Sequence, residues 1–232
     1  MGDINIENIC YGLSTAGCFI FTKSLGYRLS IYGEENIPQG KAIIASNHSS
    51  YLDPIFLGIG LGKINFVAKN FNSERKIINW CFQKWLSFIG VTILDNSKQW
   101  KKGLVEILDN LKEGNKIGIF PEGTRSRNGK LQEFNDGVSL IAEMGNCPVI
   151  PTSIKGTYEL WHKNVAIKYG GDVKIEISNP LQINYDIKDK YERRKDLTQR
   201  IRESIEKGLA KAPQTVINRE RINIASSCDF YG

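Results

Sequence analysis

Two stretches of the chain gather side chains able to do chemistry. The first, Asn47-His48-Ser49-Ser50-Tyr51-Leu52-Asp53-Pro54, holds one of only two histidines in 232 residues. An imidazole is the ordinary general base near neutral pH, and an acid that fixes its tautomer makes it a better one. Five positions of separation set His48 and Asp53 about 140° apart on a helix and on opposite faces of a strand, so they meet only across a turn. Asp53-Pro54 supplies one, since Asp caps helices and Pro suits the first helical position. Asp53 therefore reads two ways, as a cap alone or as the group that also orients His48. The other histidine, His162, has Trp161 and Lys163 beside it and no acid close by, and reads as a surface or packing residue.

The second stretch is Phe120-Pro121-Glu122-Gly123-Thr124-Arg125-Ser126. Glycine, hydroxyl residues and the guanidinium fork of Arg125, with Arg127 close behind, suit the oxygens of a phosphate. A plain polar turn has much the same composition. A phosphate-binding P-loop is excluded: five residues separate Gly123 from Gly129, and Leu131 follows Lys130 where a magnesium-holding Ser or Thr belongs. A G-x-S-x-G nucleophile elbow is also missing, so no serine nucleophile suggests itself.

Elements must bring the two stretches together. Short β-branched runs fall at Lys41 to Ser46, Ile64 to Ala68, Val91 to Leu94, Lys116 to Phe120 and Pro148 to Ile154, alternating with helical patterns. That alternation predicts βαβ units, hence an α/β fold: a single domain with a largely parallel mixed sheet flanked by helices. Lys98 to Lys112 is the clearest helix, with apolar residues at i, i+4, i+7, i+8 and i+11 from Trp100, Ser97 as cap and Gly114 as stop. A second helix is expected over Glu74 to Ile89, strands over Val165 to Tyr169 and Val173 to Ser178, and a helix over Tyr191 to Ala212 seamed by Leu197, Ile201, Ile205 and Leu209. If the strands before His48 and Glu122 are parallel neighbours, both stretches leave the carboxyl edge of one sheet, where open α/β folds bind ligands.

Composition narrows the partners. Hydrophobic residues at 41% and charged residues at 24% describe a globular chain. Five cysteines, odd in number and never in a C-x-x-C pair, fit neither a disulfide framework nor a zinc site and suit a reducing compartment. The net charge of +6 asks for an anionic partner. Between Lys63 and Lys102 eight basic residues face two acids, among Trp80, Trp85, Trp100 and four phenylalanines. Such a mixture suits a lipid interface, a nucleic acid strand, or simply a core with a solvated face. The longest uncharged run, Asn8 to Thr22, is 15 residues. It falls short of a spanning helix and reads as an interfacial segment.

The ordered set of motifs resembles the glycerolipid acyltransferase family. NHSSYLD matches its Asn-His-x-x-x-x-Asp block, FPEGTRS its Glu-Gly-Thr-Arg block, and Val149-Ile150-Pro151 its late Val-x-Pro block, over roughly Lys41 to Gly156. The resemblance implies transfer of a fatty acyl group from an acyl-CoA or acyl-carrier-protein thioester to the hydroxyl of a lysophospholipid, most directly 1-acylglycerol-3-phosphate. It implies no metal and no cofactor beyond that co-substrate, and work at the cytoplasmic face of a membrane. It implies His48 and Asp53 as catalytic residues and Glu122, Gly123, Thr124 and Arg125 as substrate-binding. One position departs: Gly90-Val91-Thr92-Ile93-Leu94-Asp95-Asn96 ends in Asn96 where the family carries arginine. Phosphate recognition then falls on Arg125, with Lys69 as helper. The expected organisation is an interfacial segment over 1–30, an acyltransferase domain over 31–212 and a tail over 213–232. The rivals are an acyltransferase or transacylase acting on a different lysolipid acceptor, a hydrolase on the same scaffold that accepts water, and a non-catalytic binder of anionic lipid or nucleic acid. The last lacks any recognisable nucleic-acid motif.

Overall fold

In the computed structural model, residues 17–18, 20, 22–69, 92–94, 100–161 and 167–211 are described. Seven strands form one sheet: β1 (Tyr27–Tyr32), β2 (Ala42–Ser46), β3 (Asn65–Lys69), β4 (Thr92–Leu94), β5 (Lys116–Ile119), β6 (Val149–Lys155) and β7 (Gly171–Ile177). Their order is β1-β7-β6-β2-β5-β3-β4. The five from β6 to β4 run parallel, and β6 pairs antiparallel with β7, which turns β7 and β1 the other way. The sheet is thus the largely parallel, mixed one expected. Among the described residues, the helices that pack on the sheet include α1 (Asp53–Leu61), α2 (Trp100–Lys112), α3 (Gly137–Gly145) and α4 (Lys190–Ala210).

The central strand shows why. Every residue of β2, sequence AIIAS, is buried, as a strand covered on both faces must be. Its side chains alternate between two cores. Ala42 and Ile44 join Phe56 and Leu57 of α1, with Ile150, Ile154 and Ile175. Ile43 and Ala45 join Ile107 and Leu111 of α2, Ile141 of α3, and Leu197, Ile201 and Ile205 of α4. Among the described residues, α1 therefore covers one face and α2, α3 and α4 the other. Each fully buried Ile or Leu in the α4 seam contributes roughly 1.5–3 kcal/mol relative to exposure. Asp189 starts α4 by accepting hydrogen bonds at 2.9 Å from the amides of Tyr191 and Glu192.

Several expectations differ from the structure. Residues 167–169, the described part of the strand expected over Val165 to Tyr169, lie in a loop. Their backbone is engaged locally: the Lys168 amide donates to Leu160 O at 2.8 Å, and Lys168 O accepts from the Tyr27 hydroxyl. Asp53 does not cap α1, because its carboxylate turns back to the amides before it. Strand β1 begins at Tyr27, so the end of the expected N-terminal segment contributes to the sheet edge. Helix α3 has no counterpart in the expected elements: it is nine residues with glycine at both ends, and its buried face is Val138, Ile141 and Ala142 with the polar Ser139 among them. Its C-cap, Asn146, takes a left-handed conformation at φ 44°. The helix expected over Glu74 to Ile89, Ser97, Asn96, His162, most of the interfacial segment and the tail lie outside the described residues. Among the described residues no helix is long and apolar enough to cross a membrane.

A partly buried charge cluster ties α3 to α4: Glu143 accepts from both Arg193 and Arg194. Burial raises the Glu143 carboxyl, yet the two guanidinium groups outweigh it and hold it below the usual carboxylate range. A carboxyl held low on folding adds stability above its unfolded pKa, about 4.3, and that stability is lost as the pH falls through the lower folded value. Glu143→Gln should therefore cost roughly 1.5–3 kcal/mol at neutral pH, the range for hydrogen bonds to a charged group. Urea unfolding at pH 7 and below pH 4 should show the gap from the wild type closing in acid.

Candidate functional site

The carboxyl ends of β2, β5, β3 and β6 share one edge of the sheet. His48 lies two residues beyond β2, Phe120 directly follows β5, and Gly156-Thr157 follow β6. Lys69 ends β3 on the same edge, two strands from β2.

Asn47 fastens the first loop. Its amide donates to Ile154 O at 2.9 Å and accepts from the Ile154 amide at 2.8 Å, like one more rung of the β2–β6 ladder. The chain then turns so that His48 Nδ1 lies 2.8 Å from Asp53 Oδ2. The same oxygen accepts from the amides of Ser49 at 2.7 Å and Ser50 at 2.8 Å. Asp53 is fully buried, so three N–H groups converge on one sequestered carboxylate oxygen. Of the two readings of Asp53, orientation of His48 is the one its bonds express. With Nδ1 donating to Asp53, the lone pair resides on Nε2. The imidazole stacks on Phe120, centroids 4.0 Å apart and planes 17° from parallel, and keeps 18% of its side-chain surface open. Phe120 stacks in turn on Phe66 at 5.9 Å. Gly118 is required beneath them, because a Cβ there would overlap the Phe66 ring.

The second loop grips the first. Glu122 is buried and accepts from the His48 amide at 2.7 Å and the Gln132 amide at 3.1 Å. Burial pushes its carboxyl up, and these bonds act against the shift. The Ser126 amide donates to His48 O at 2.7 Å, so both backbone groups of His48 are held by the neighbouring loop. Gly123 bends the chain at φ 68°, and its amide closes a turn on Phe120 O at 3.0 Å. Thr124 is exposed at the tip. Arg125 places its guanidinium over the Tyr51 ring, 3.5 Å from the centroid. Its buried Nη1 has no hydrogen-bond partner among the described residues.

The structure thus brings His48, Asp53, Glu122, Gly123, Thr124 and Arg125 to one place, with the Glu122 carboxylate spent on protein amides. Sequence reasoning had assigned no role to the Ser49 and Ser50 amides, to Phe120 as the surface under His48, or to Tyr51 beneath Arg125. Tyr51 and Phe120 stand inside the quoted motifs, and that adjacency was the available signal. Chemically, the site offers an oriented, partly exposed imidazole beside a cation that no acid of the described residues neutralises.

Comparison with known proteins points the same way. A family model described as Acyltransferase matches residues 28–155. A chloroplastic 1-acyl-sn-glycerol-3-phosphate acyltransferase of Arabidopsis thaliana is 32% identical over 161 residues, 67% of this chain and 44% of the plant protein. This chain therefore spans less than half of that relative. A 1-acyl-sn-glycerol-3-phosphate acyltransferase of Bacillus subtilis is 30% identical over 164 residues, 68% of this chain and 76% of its own length. The crystal structure of the 1-acyl-sn-glycerophosphate acyltransferase of Thermotoga maritima superposes with a TM-score of 0.70 at 26% identity, covering 88% of this chain and 81% of that one.

Proposed function

The chain belongs to the acyltransferase family, and from that premise we propose that it moves a fatty acyl group from an acyl thioester to the free hydroxyl of 1-acylglycerol-3-phosphate, giving phosphatidic acid. The observation that carries this reading is the 2.8 Å His48–Asp53 pair on the same sheet edge as Arg125.

His48 Nε2 takes the proton from the acceptor hydroxyl as that oxygen attacks the thioester carbonyl. Asp53 holds the ring by Nδ1 and offsets the positive charge it gains. When the C–S bond breaks, the imidazolium returns the proton to the leaving thiolate, and the His48–Asp53 pair is restored. No acyl-enzyme is needed. The amide of Gly123 is committed to its turn, so an oxyanion contact in this loop falls to the amides of Thr124 and Arg125, which make no hydrogen bond to a described residue. Arg125 receives the acceptor phosphate, with its fork edge-on to the oxygens. Lys69 is a helper by its place at the end of β3. The thioester donor is acyl-CoA or acyl-carrier protein. The reaction takes place at a membrane surface, on its cytoplasmic face, reached through the interfacial segment and the basic, aromatic stretch.

Incubating the protein with a radiolabelled acyl thioester and a panel of lysolipids tests this directly. Label should enter phosphatidic acid when lysophosphatidate is the acceptor. Thiol release with no lipid product would make the protein a hydrolase, and acyl exchange without added thioester a transacylase; either result overturns the proposal.

A further inference from the structure

Arg125 is held by a flat surface with no carboxylate in it. Its guanidinium carbon lies 3.5 Å from the centroid of the Tyr51 ring, close enough for face-to-face contact. Tyr51 is itself backed by Trp161, centroids 4.9 Å apart and planes 37° from parallel. The backbone locks that pair: the Ser50 hydroxyl donates to Trp161 O at 2.6 Å, and the Tyr51 amide donates to the same oxygen at 3.4 Å. The Tyr51 hydroxyl makes no hydrogen bond to a described residue, so the ring face is the part in use. An arginine on a surface loop ordinarily samples many rotamers, and ordering such a side chain costs roughly 0.5–1.5 kcal/mol when a ligand does it. Here the protein has ordered it beforehand, with one face covered, Nη1 buried and unpaired, and the remaining N–H groups without a partner among the described residues.

We propose that Tyr51, backed by Trp161, is a positioning residue for acceptor binding: it fixes the plane of the Arg125 guanidinium so that the N–H edge meets a phosphate without reorganisation. This rests on the reading of Arg125 as the phosphate-binding group. It gives the His48 loop two tasks, since the chain segment that presents the base also aims the cation. A lysine at 125 has no plane to be aimed, and the same shelf gives it no bidentate geometry.

The test separates the ring face from everything else Tyr51 does. Tyr51→Phe should leave the KM for lysophosphatidate unchanged. Tyr51→Leu should raise it roughly 3- to 30-fold, the span expected for a lost cation–π contact, with kcat and the donor KM nearly constant. In an Arg125→Ala background, Tyr51→Leu should add no further rise. Tyr51→Met, which refills the volume with a flexible chain, should behave like Leu and serves if Leu lowers the melting temperature. Calorimetric binding of sn-glycerol 3-phosphate reads the same contact without turnover. If the wild type acylates no lysophosphatidate but glycerol phosphate binding still depends on the Tyr51 ring, the proposed function fails and the shelf stands. Equal binding by wild type and the Leu and Met variants overturns the shelf, as does a fall in kcat at constant acceptor KM, an equal loss in Tyr51→Phe, or additive effects with Arg125→Ala.

Discussion

His48→Ala should remove nearly all acyl transfer, by a factor on the order of 10²–10⁴, while the protein still folds. The residue is held mainly by its backbone: the amide by Glu122 and the carbonyl by Ser126, and alanine keeps both bonds. The carboxylate of Asp53 also keeps its two amide donors. What disappears is the Nε2 lone pair and the ring on Phe120. Initial rates at saturating thioester and lysolipid, alongside a melting curve, read the two consequences separately. Turnover at the wild-type rate would remove His48 from the mechanism, because His162 is the only other histidine in the chain.

Asp53→Asn should cost on the order of 10² or more in kcat with little change in stability. An amide oxygen placed where Oδ2 lies can still accept from Ser49, Ser50 and His48, so the loop keeps its shape. The negative charge that offsets the imidazolium is gone, and a charge-assisted bond becomes an ordinary one. Asp53→Ala provides the contrast. It leaves two buried amides without an acceptor, at roughly 1–3 kcal/mol each, and should lose rate and melting temperature together. If Asn also melted early, or if Asn retained full rate, the carboxylate would be structural, holding the loop while contributing nothing to proton transfer.

What sequence could reveal follows from the reach of each interaction. Strands β2, β5 and β6 were legible because burial on both faces demands uninterrupted apolar runs, as in AIIAS and KIGI. Helix α4 was legible from its seam of Leu197, Ile201 and Ile205. The reversal at β7 was not, since GDVKIEI has the same alternation whichever way it runs. The His48–Asp53 pair could be inferred because both partners are chemically distinctive and five residues apart. The use of Glu122 could not: its partners are backbone amides, one of them 74 positions away, and an amide has no letter in a sequence. Nor could the Tyr51–Arg125 stack be seen, because its partners look unremarkable until two loops from different strands are laid side by side.

That side-by-side arrangement bears on how the protein can change over time. Loop 120–126 supplies the cation and also holds the amide and the carbonyl of His48, while loop 47–53 supplies the base and also carries Tyr51 beneath Arg125. Neither loop can drift without moving the other's reactive group. Head-group preference is therefore not a free dial: a change in the arginine loop that suits a new acceptor also re-aims the histidine. A lineage exploring other lysolipids has its freedom at residues that belong to neither loop.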